Sequence, residues 1–249
     1  MAKQTGFIKI SGTLDDVTFY RTKDGHLVKM KSRLNKARIA NDPKFARTRE
    51  NGAEFGNAAK SGKLFRANLR PISLNASDSR IVHRVTQLMS KIKNMDAFNI
   101  RGERNVGTGI MAPEGKALLK GFEFNEFSEL GSILFKPYLL DTLTGEITID
   151  QLKPSSDISF PTGATHVSIT GGYAIFDFSM ATVDFKMTNV VNLAFAAPSS
   201  TITLTPTSLP IGTSLKVYLL RIEFFQFVNG VQYVLKNGDF NALRVIEVV

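Results

Sequence analysis

Leu215-Lys216-Val217-Tyr218-Leu219-Leu220-Arg221-Ile222-Glu223-Phe224-Phe225-Gln226-Phe227-Val228-Asn229-Gly230-Val231-Gln232-Tyr233-Val234-Leu235 is the stretch that decides the fold. Two runs rich in β-branched and aromatic residues flank Asn229-Gly230. That pair suits a tight hairpin turn, because both central residues need positive φ. Outward from this hairpin the pattern stays β-rich. Thr201–Thr205 alternates cleanly, and Thr182–Lys186, Ala174–Phe178, Thr165–Ile169, Ile147–Ile149 and Ile133–Leu140 are short runs separated by turn residues. Ala117–Phe127 carries Leu118, Phe122 and Phe124 in alternation, and Asn237-Gly238-Asp239 marks a turn before Phe240–Val249. This many short strands with regular turns predicts an antiparallel β-sandwich, Ig-like or jelly-roll, over residues 116–249.

The N-terminal part has another character. Phe7, Ile8 and Ile10, then Val17-Thr18-Phe19-Tyr20, then His26–Met30 after Asp24-Gly25, read as paired strands. Asn41-Asp42-Pro43 is a helix start, with a capping side chain followed by a residue that has no N–H to leave unpaired. The helix runs toward Leu69 and stops at Arg70-Pro71, weakened by Gly52, Gly56 and Gly62. A second helix fits Ser77 to about Phe98, with Ile81, Val85, Leu88, Ile92 and Met95 on one stripe. Residues 99–115 hold Gly102, Gly107, Gly109, Pro113 and Gly115, which reads as a linker. The expected fold class is therefore α+β: a hairpin-and-helix module over 1–115, then the sandwich.

Charge divides along the same line. Residues 1–120 hold 24 basic and 10 acidic side chains, and residues 121–249 hold 7 basic and 12 acidic. The basic positions that stand out are Lys29, Lys31, Arg33, Lys36, Arg38, Lys44, Arg47, Arg49, Lys60, Lys63, Arg66 and Arg70, with Arg80, Arg84, Lys91 and Lys93 on the polar face of the second helix. Such a density can hold phosphates or an acidic partner surface. Phe45, Phe55 and Phe65 lie among them, but a spacing of ten residues turns about 80° off register per step on a helix. They read as core contacts and not as a stacking row for bases.

Tests for enzyme chemistry return little. The 249 residues contain no cysteine, which excludes disulfides, thiolate zinc sites and a cysteine nucleophile. His26, His83 and His166 share no metal-ligand spacing. Gly109–Ala117 fails as a phosphate loop: five residues separate its glycines, Ala117 follows Lys116, and Pro113 removes an amide. Glu123 and Glu129 on one strand would stand about 20 Å apart, too far to share a glycosidic bond. No enzyme activity, cofactor or small-molecule substrate is expected. No secretory signal is visible in Met1–Phe7 and no run of apolar residues is long enough to span a bilayer, so synthesis in the cytosol is expected, a description that a virion or another assembled particle also satisfies.

Met1-Ala2-Lys3-Gln4-Thr5-Gly6, the Gly12…Phe19-Tyr20…Asp24-Gly25 hairpin, and Ile39-Ala40-Asn41-Asp42-Pro43…Arg47-Thr48-Arg49-Glu50-Asn51…Glu54-Phe55-Gly56 resemble a family of roughly 250-residue uncharacterised proteins of Bacteroidota and their mobile elements. Gly121-Phe122-Glu123-Phe124-Asn125, Pro161-x-Gly163-Ala164-Thr165-His166 and Glu223-Phe224-Phe225 are similar too. The family brings no assigned activity, so no catalytic residue carries over. The expected partner is another copy of the chain, because a basic and an acidic half allow head-to-tail contacts. Nucleic acid held by the basic helical segment is the alternative. An adhesin or carbohydrate-binding sandwich comes third, disfavoured by the absence of Trp.

Overall fold

The computed structural model describes residues 2–31, 35–235 and 240–249. The chain divides into two compact units, Met1–Arg49 and Glu50–Val249. The division falls well before 115/116, and its physical reason is that the helices after Glu50 share a core with the strands.

In the first unit, β1 (Ala2–Lys3), β2 (Gly12–Leu14), β3 (Val17–Thr22) and β4 (Gly25–Met30) form a four-stranded antiparallel sheet in the order β1-β4-β3-β2. Asp15 adopts φ 47° in the tight turn between β2 and β3, and Gly25 adopts φ 116° where β4 begins. A short helix α1 (Lys36–Asn41) follows, started by the Asn35 side chain accepting from the Ala37 N–H at 2.9 Å. Asp42 then caps a single 3-10 turn, Pro43–Phe45, accepting from the Lys44 N–H at 2.9 Å.

The helix α2 spans Ala46–Asn68, and the others are α3 (Arg70–Ser73), α4 (Ile81–Lys93), α5 (Val106–Gly109), α6 (Pro113–Leu119) and α7 (Leu130–Ile133). The apolar stripe of α4 lies inward, with Val85, Leu88, Met89 and Ile92 buried. The strands are β5 (Leu139–Leu140), β6 (Ile147–Leu152), β7 (His166–Asp177), β8 (Thr182–Ala194), β9 (Ser200–Leu204), β10 (Leu215–Val228), β11 (Val231–Val234) and β12 (Ala242–Val248), with a helical turn α8 (Pro154–Asp157) after β6. The Asn229-Gly230 turn has φ 51° and 83°, as its residue types require. The turn read at Asn237-Gly238-Asp239 lies outside the described residues.

One sheet runs β11-β10-β7-β8 with β12 also on β10, and a second runs β5-β6-β9. The five-stranded sheet is covered on both faces, which is why β7 and β10 are long apolar runs. Ala174, Phe176, Leu215, Val217, Leu219, Leu243 and Val245 meet Ala58, Phe65, Leu69, Val85, Met89 and Leu119 of the helices. The alternate residues Val167, Ile169, Tyr173, Ile175, Tyr218, Leu220 and Ile222 meet Ile147, Ile149, Leu152, Ile202 and Leu204 of the smaller sheet. The result is an α+β arrangement of helices, large sheet and small sheet, with a helical layer where a two-layer sandwich has solvent. The large sheet also curls. Asn192 on β8 donates to Gln232 on β11 at 2.6 Å, across two intervening strands. A flat sheet would hold those strands about 14 Å apart.

Several local readings change. The gap between the predicted runs Thr165–Ile169 and Ala174–Phe178, which holds Gly171-Gly172, is no turn, since β7 passes straight through with a register shift against β8. Residues 99–115 are no linker, since they contain α5 and part of α6 and are packed backbone to backbone. Lys116–Leu119 is helical, and the strand-like part of that run begins at Gly121, where Gly121, Phe122 and Phe124 hydrogen-bond along β12. Of the three spaced phenylalanines, Phe65 is fully buried, Phe45 lies under the Arg38 guanidinium at 5.9 Å, and Phe55 is exposed.

Candidate interaction site

The sixteen basic positions separate into three kinds. Arg33 lies outside the described residues. Lys31, Lys36, Lys44, Arg47, Lys60, Lys63, Arg70, Arg80 and Lys91 are exposed. The rest, apart from Arg66, make side-chain contacts within the fold. Lys29 covers the Tyr20 ring at 5.4 Å. Arg38 pairs with Asp42 at 3.3 Å, and Arg49 donates to the Ile39 and Asp42 carbonyls at 2.8 and 3.0 Å, tying α2 to the turn before it. Arg66 is half-buried, and burial lowers its pKa. Arg84 pairs with Asp78, donates to the Glu123 carbonyl at 2.6 Å and lies 5.2 Å over the Phe122 ring. Lys93 pairs with the buried Glu54. Arg84 and Lys93 are thus internal ties, unlike the solvated helix face that periodicity places them on.

The unit boundary sharpens the charge division. Residues 1–49 hold twelve basic and four acidic side chains, a net of +8 within the +9 of the whole chain. None of the described residues in this unit is buried. Register puts Leu14, Val17 and Met30 side by side, and Ala2, Val28 and Phe19 in the next row, all on one face of the sheet. Lys3, Thr13, Thr18, Tyr20, Leu27 and Lys29 take the other face. A sheet of this size needs its apolar face covered to be stable. Here Leu14 and Met30 remain exposed.

Gln4 shapes the loop between β1 and β2. Its N–H donates to the His26 carbonyl at 2.9 Å. Its side chain accepts from the Ile10 N–H at 2.9 Å and donates back to the Ile10 carbonyl at 3.1 Å. Lys9 donates to the Gln4 carbonyl. The loop is thereby closed at its base, and Phe7 and Ile8 stand at its tip 96% and 68% exposed. Phe7, Ile8 and Ile10 form this loop and not the strand that their apolar pattern predicts. The polar Gln4 six residues before Ile10 was the signal for a clamped loop.

In the second unit, Glu123 is the one carboxylate among the described residues pushed toward neutrality: burial raises it to about 7, against the hydrogen bond from the Leu130 N–H and the attraction of Arg244. Its Oε1 accepts from Leu130 at 3.2 Å and faces Arg244 Nη1 at 3.4 Å. The chain turns back at Asn125, where Phe127 N–H donates to Asn125 Oδ1 at 3.1 Å. Glu129 is thereby brought near enough to add to the upward shift, and the extended 20 Å geometry does not form. A cavity of about 530 Å³ lined by Lys120, Tyr138, Thr142 and Glu247 lies in this unit, but neither Glu123 nor Arg244 lines it. Glu123 thus links the Leu130 N–H to Arg244 of β12.

The folded carboxyl takes up a proton more readily than the unfolded one at 4.5, so this group favours the fold most at low pH and increasingly opposes it as pH rises through 7. Glu123→Gln removes that opposition. We expect it to gain roughly 2 kcal/mol at pH 8 after allowance for partial exposure, and little below pH 4.5. Thermal melts at the two pH values check this. A loss at pH 8 would mean that the Arg244 pair outweighs burial.

Among the described residues, no group of three His, Asp or Glu is placed to hold a metal ion, and no helix is long and apolar enough to cross a membrane. No protein family, curated protein or solved structure matches the chain.

Proposed function

We propose that this protein is a non-catalytic structural subunit that assembles with further copies of itself, using residues 2–49 as its docking element. One observation carries the reading. A four-stranded sheet with a distinct apolar face, and a clamped loop with an aromatic tip, bury none of their described residues. Uncovered apolar surface of that kind marks an interface. The charge supports a like partner: +8 on the docking unit meets a strand region, residues 121–249, with twelve acidic and seven basic side chains. A surface that is basic in one place and acidic in another binds head to tail, which builds rings or filaments.

The small sheet packed on the large one supports the jelly-roll or Ig-like component of the reading, while the helical layer departs from it. The resemblance to mobile-element proteins favours a particle component of the virion type, a capsid, tail or filament subunit. Purified full-length protein at low ionic strength is expected to show species heavier than the monomer by light scattering, and regular particles by negative-stain microscopy. Salt at 0.5 M should disperse them by screening. A monomer at every concentration and ionic strength would overturn the reading.

The second reading, phosphate-backbone binding, rests on exposed Lys31, Lys36, Lys44 and Arg47. It requires a gel shift that ignores sequence and weakens steeply with salt.

A further inference from the structure

The second unit carries an open cavity with both apolar and acidic lining. Between β7, β8 and the segment before β10, a cavity of about 330 Å³ is lined by Ile175, Val183, Ile211, Asp177 and Asp184, with Gly212 at its wall. Ile211 is 84% exposed at this cavity, and Met180, in the turn just beyond Asp177, is 73% exposed. Gly212 has φ 137°, and a Cβ there would stand 2.9 Å from Ile175 Cγ2, so the position carries no side chain that could fill the space. An apolar cavity of about 150 Å³ suffices to take up benzene. This space is larger than that, and it is an open cleft with hydroxyl and carboxylate groups beside the apolar ones, so a phenyl ring fits by volume.

The polar lining has one sign. Asp177 accepts from the Ser179 and Met180 N–H groups at 2.9 and 2.8 Å and from Ser214 Oγ at 3.0 Å, all neutral donors. Asp184 accepts from the Ile211 N–H at 2.8 Å and pairs with Lys186 at 2.9 Å. These bonds hold both carboxyls below the usual carboxylate range, so both are charged at neutral pH. The loop offers the complement: an exposed phenyl ring at Phe7, exposed Ile8 and Ile10 beside it, and Lys3 and Lys9 at its base.

We infer that Phe7 of one copy inserts into the Ile175–Val183–Ile211 cavity of the next, with Lys3 and Lys9 facing Asp177 and Asp184. This rests on the assembly reading above and names its contact. The contact joins two different surfaces of the chain, so it is heterologous, and a joined pair still offers one free loop and one free cavity. The cleft near Lys120 and Glu247 is the weaker acceptor, because its one lining carboxylate is already paired with Lys120 at 2.6 Å, whereas Asp177 is met only by neutral donors.

The test uses two full-length variants, Phe7→Asp and Ile211→Asp. Both positions are exposed, so both proteins should keep the melting temperature and circular dichroism of the wild type. Each alone is expected to run as a monomer by light scattering under conditions where the wild type assembles. Mixed in equal amounts they should form a heterodimer and nothing larger, because only one competent loop–cavity pair remains. If Ile211→Asp still assembles while Phe7→Asp does not, the loop docks elsewhere: the inference falls and the assembly reading stands. If both variants assemble like the wild type, the contact is wrong. If the wild type itself never assembles, both fall together.

Discussion

Glu54→Ala should cost the second unit about 3–5 kcal/mol at pH 7, the range seen when one partner of a buried charge group is removed. Glu54 is 1% exposed in the middle of α2. Its carboxylate accepts from Lys93 of α4, from Arg104 at 2.9 and 3.2 Å, and from the Gly102 N–H at 2.8 Å. Burial alone would raise its pKa, but the Lys93 and Arg104 hydrogen bonds outweigh burial and hold it at about 2. One side chain thus fastens three segments: α2, the end of α4 and the loop that follows it. Truncation leaves two cations and a backbone N–H facing an apolar gap.

At about 2–4 °C per kcal/mol for a unit of this size, the melting temperature should fall by roughly 10 °C. The pH dependence separates this from a packing loss. A carboxyl held below its unfolded value of 4.5 stabilises the fold fully above that pH and loses the contribution as pH falls toward 2. The gap between wild type and variant should therefore narrow below pH 4. Lys93→Met should cost less than Glu54→Ala, because Arg104 still reaches both carboxylate oxygens. Equal melting of Glu54→Ala and wild type at pH 7 would show that the group holds nothing together.

That carboxylate also shows what the sequence made legible and what it hid. Hairpins were readable where one residue type answers one backbone demand, as at Asn229-Gly230. The α2 start was readable from Asp42-Pro43, and the α4 stripe from its spacing. Glu54 was invisible because it sits among basic residues whose density reads as a solvated face, while its partners come from 39 and 50 residues away. The polar tie formed by Arg84, Asp78 and the Glu123 carbonyl was hidden for the same reason. Lys60, Lys63 and Lys91 are exposed on α2 and α4, but composition cannot tell an outward lysine from one turned, like Lys93, to a buried carboxylate.

Glycine was the other source of error, and it failed in one direction. At Gly171-Gly172 and over 102–115 it was read as freedom, whereas the structure uses it as absence of volume. A Cβ on Gly172 would stand 2.8 Å from the Phe185 ring and 3.0 Å from Ile72 Cδ1. The strand needs glycine there so that β8 and α3 can close on it. Spacing along one chain carries no sign of what lies opposite in space, so turn and close approach look alike until the neighbours are known.

The same substitution, Gly to Ala, should therefore have opposite effects at four positions of the second unit. Gly52 and Gly56 lie in α2 with nothing within 4 Å of an added Cβ. Alanine there removes unfolded-state freedom and should add about 0.5–1 kcal/mol at each site. At Gly109 an added Cβ would lie 2.2 Å from the Ile92 carbonyl oxygen, and at Gly115 it would lie 2.0 Å from the Gly109 carbonyl oxygen. Both obstacles are backbone, so no rotamer change relieves them. The contacts are stacked, with α6 resting on α5 and α5 on the end of α4. Relief at one therefore has to part helices that share the Ile92, Val106, Ile110 and Leu119 core. Ordinary overpacking costs about 1–3 kcal/mol where side chains can give way. Gly115→Ala should exceed that range and leave the protein largely unfolded at 37 °C. Denaturant titration of the four variants is the check. Wild-type stability in Gly115→Ala would mean that α5 and α6 are not packed against α4 as described, and the segment would revert to a linker.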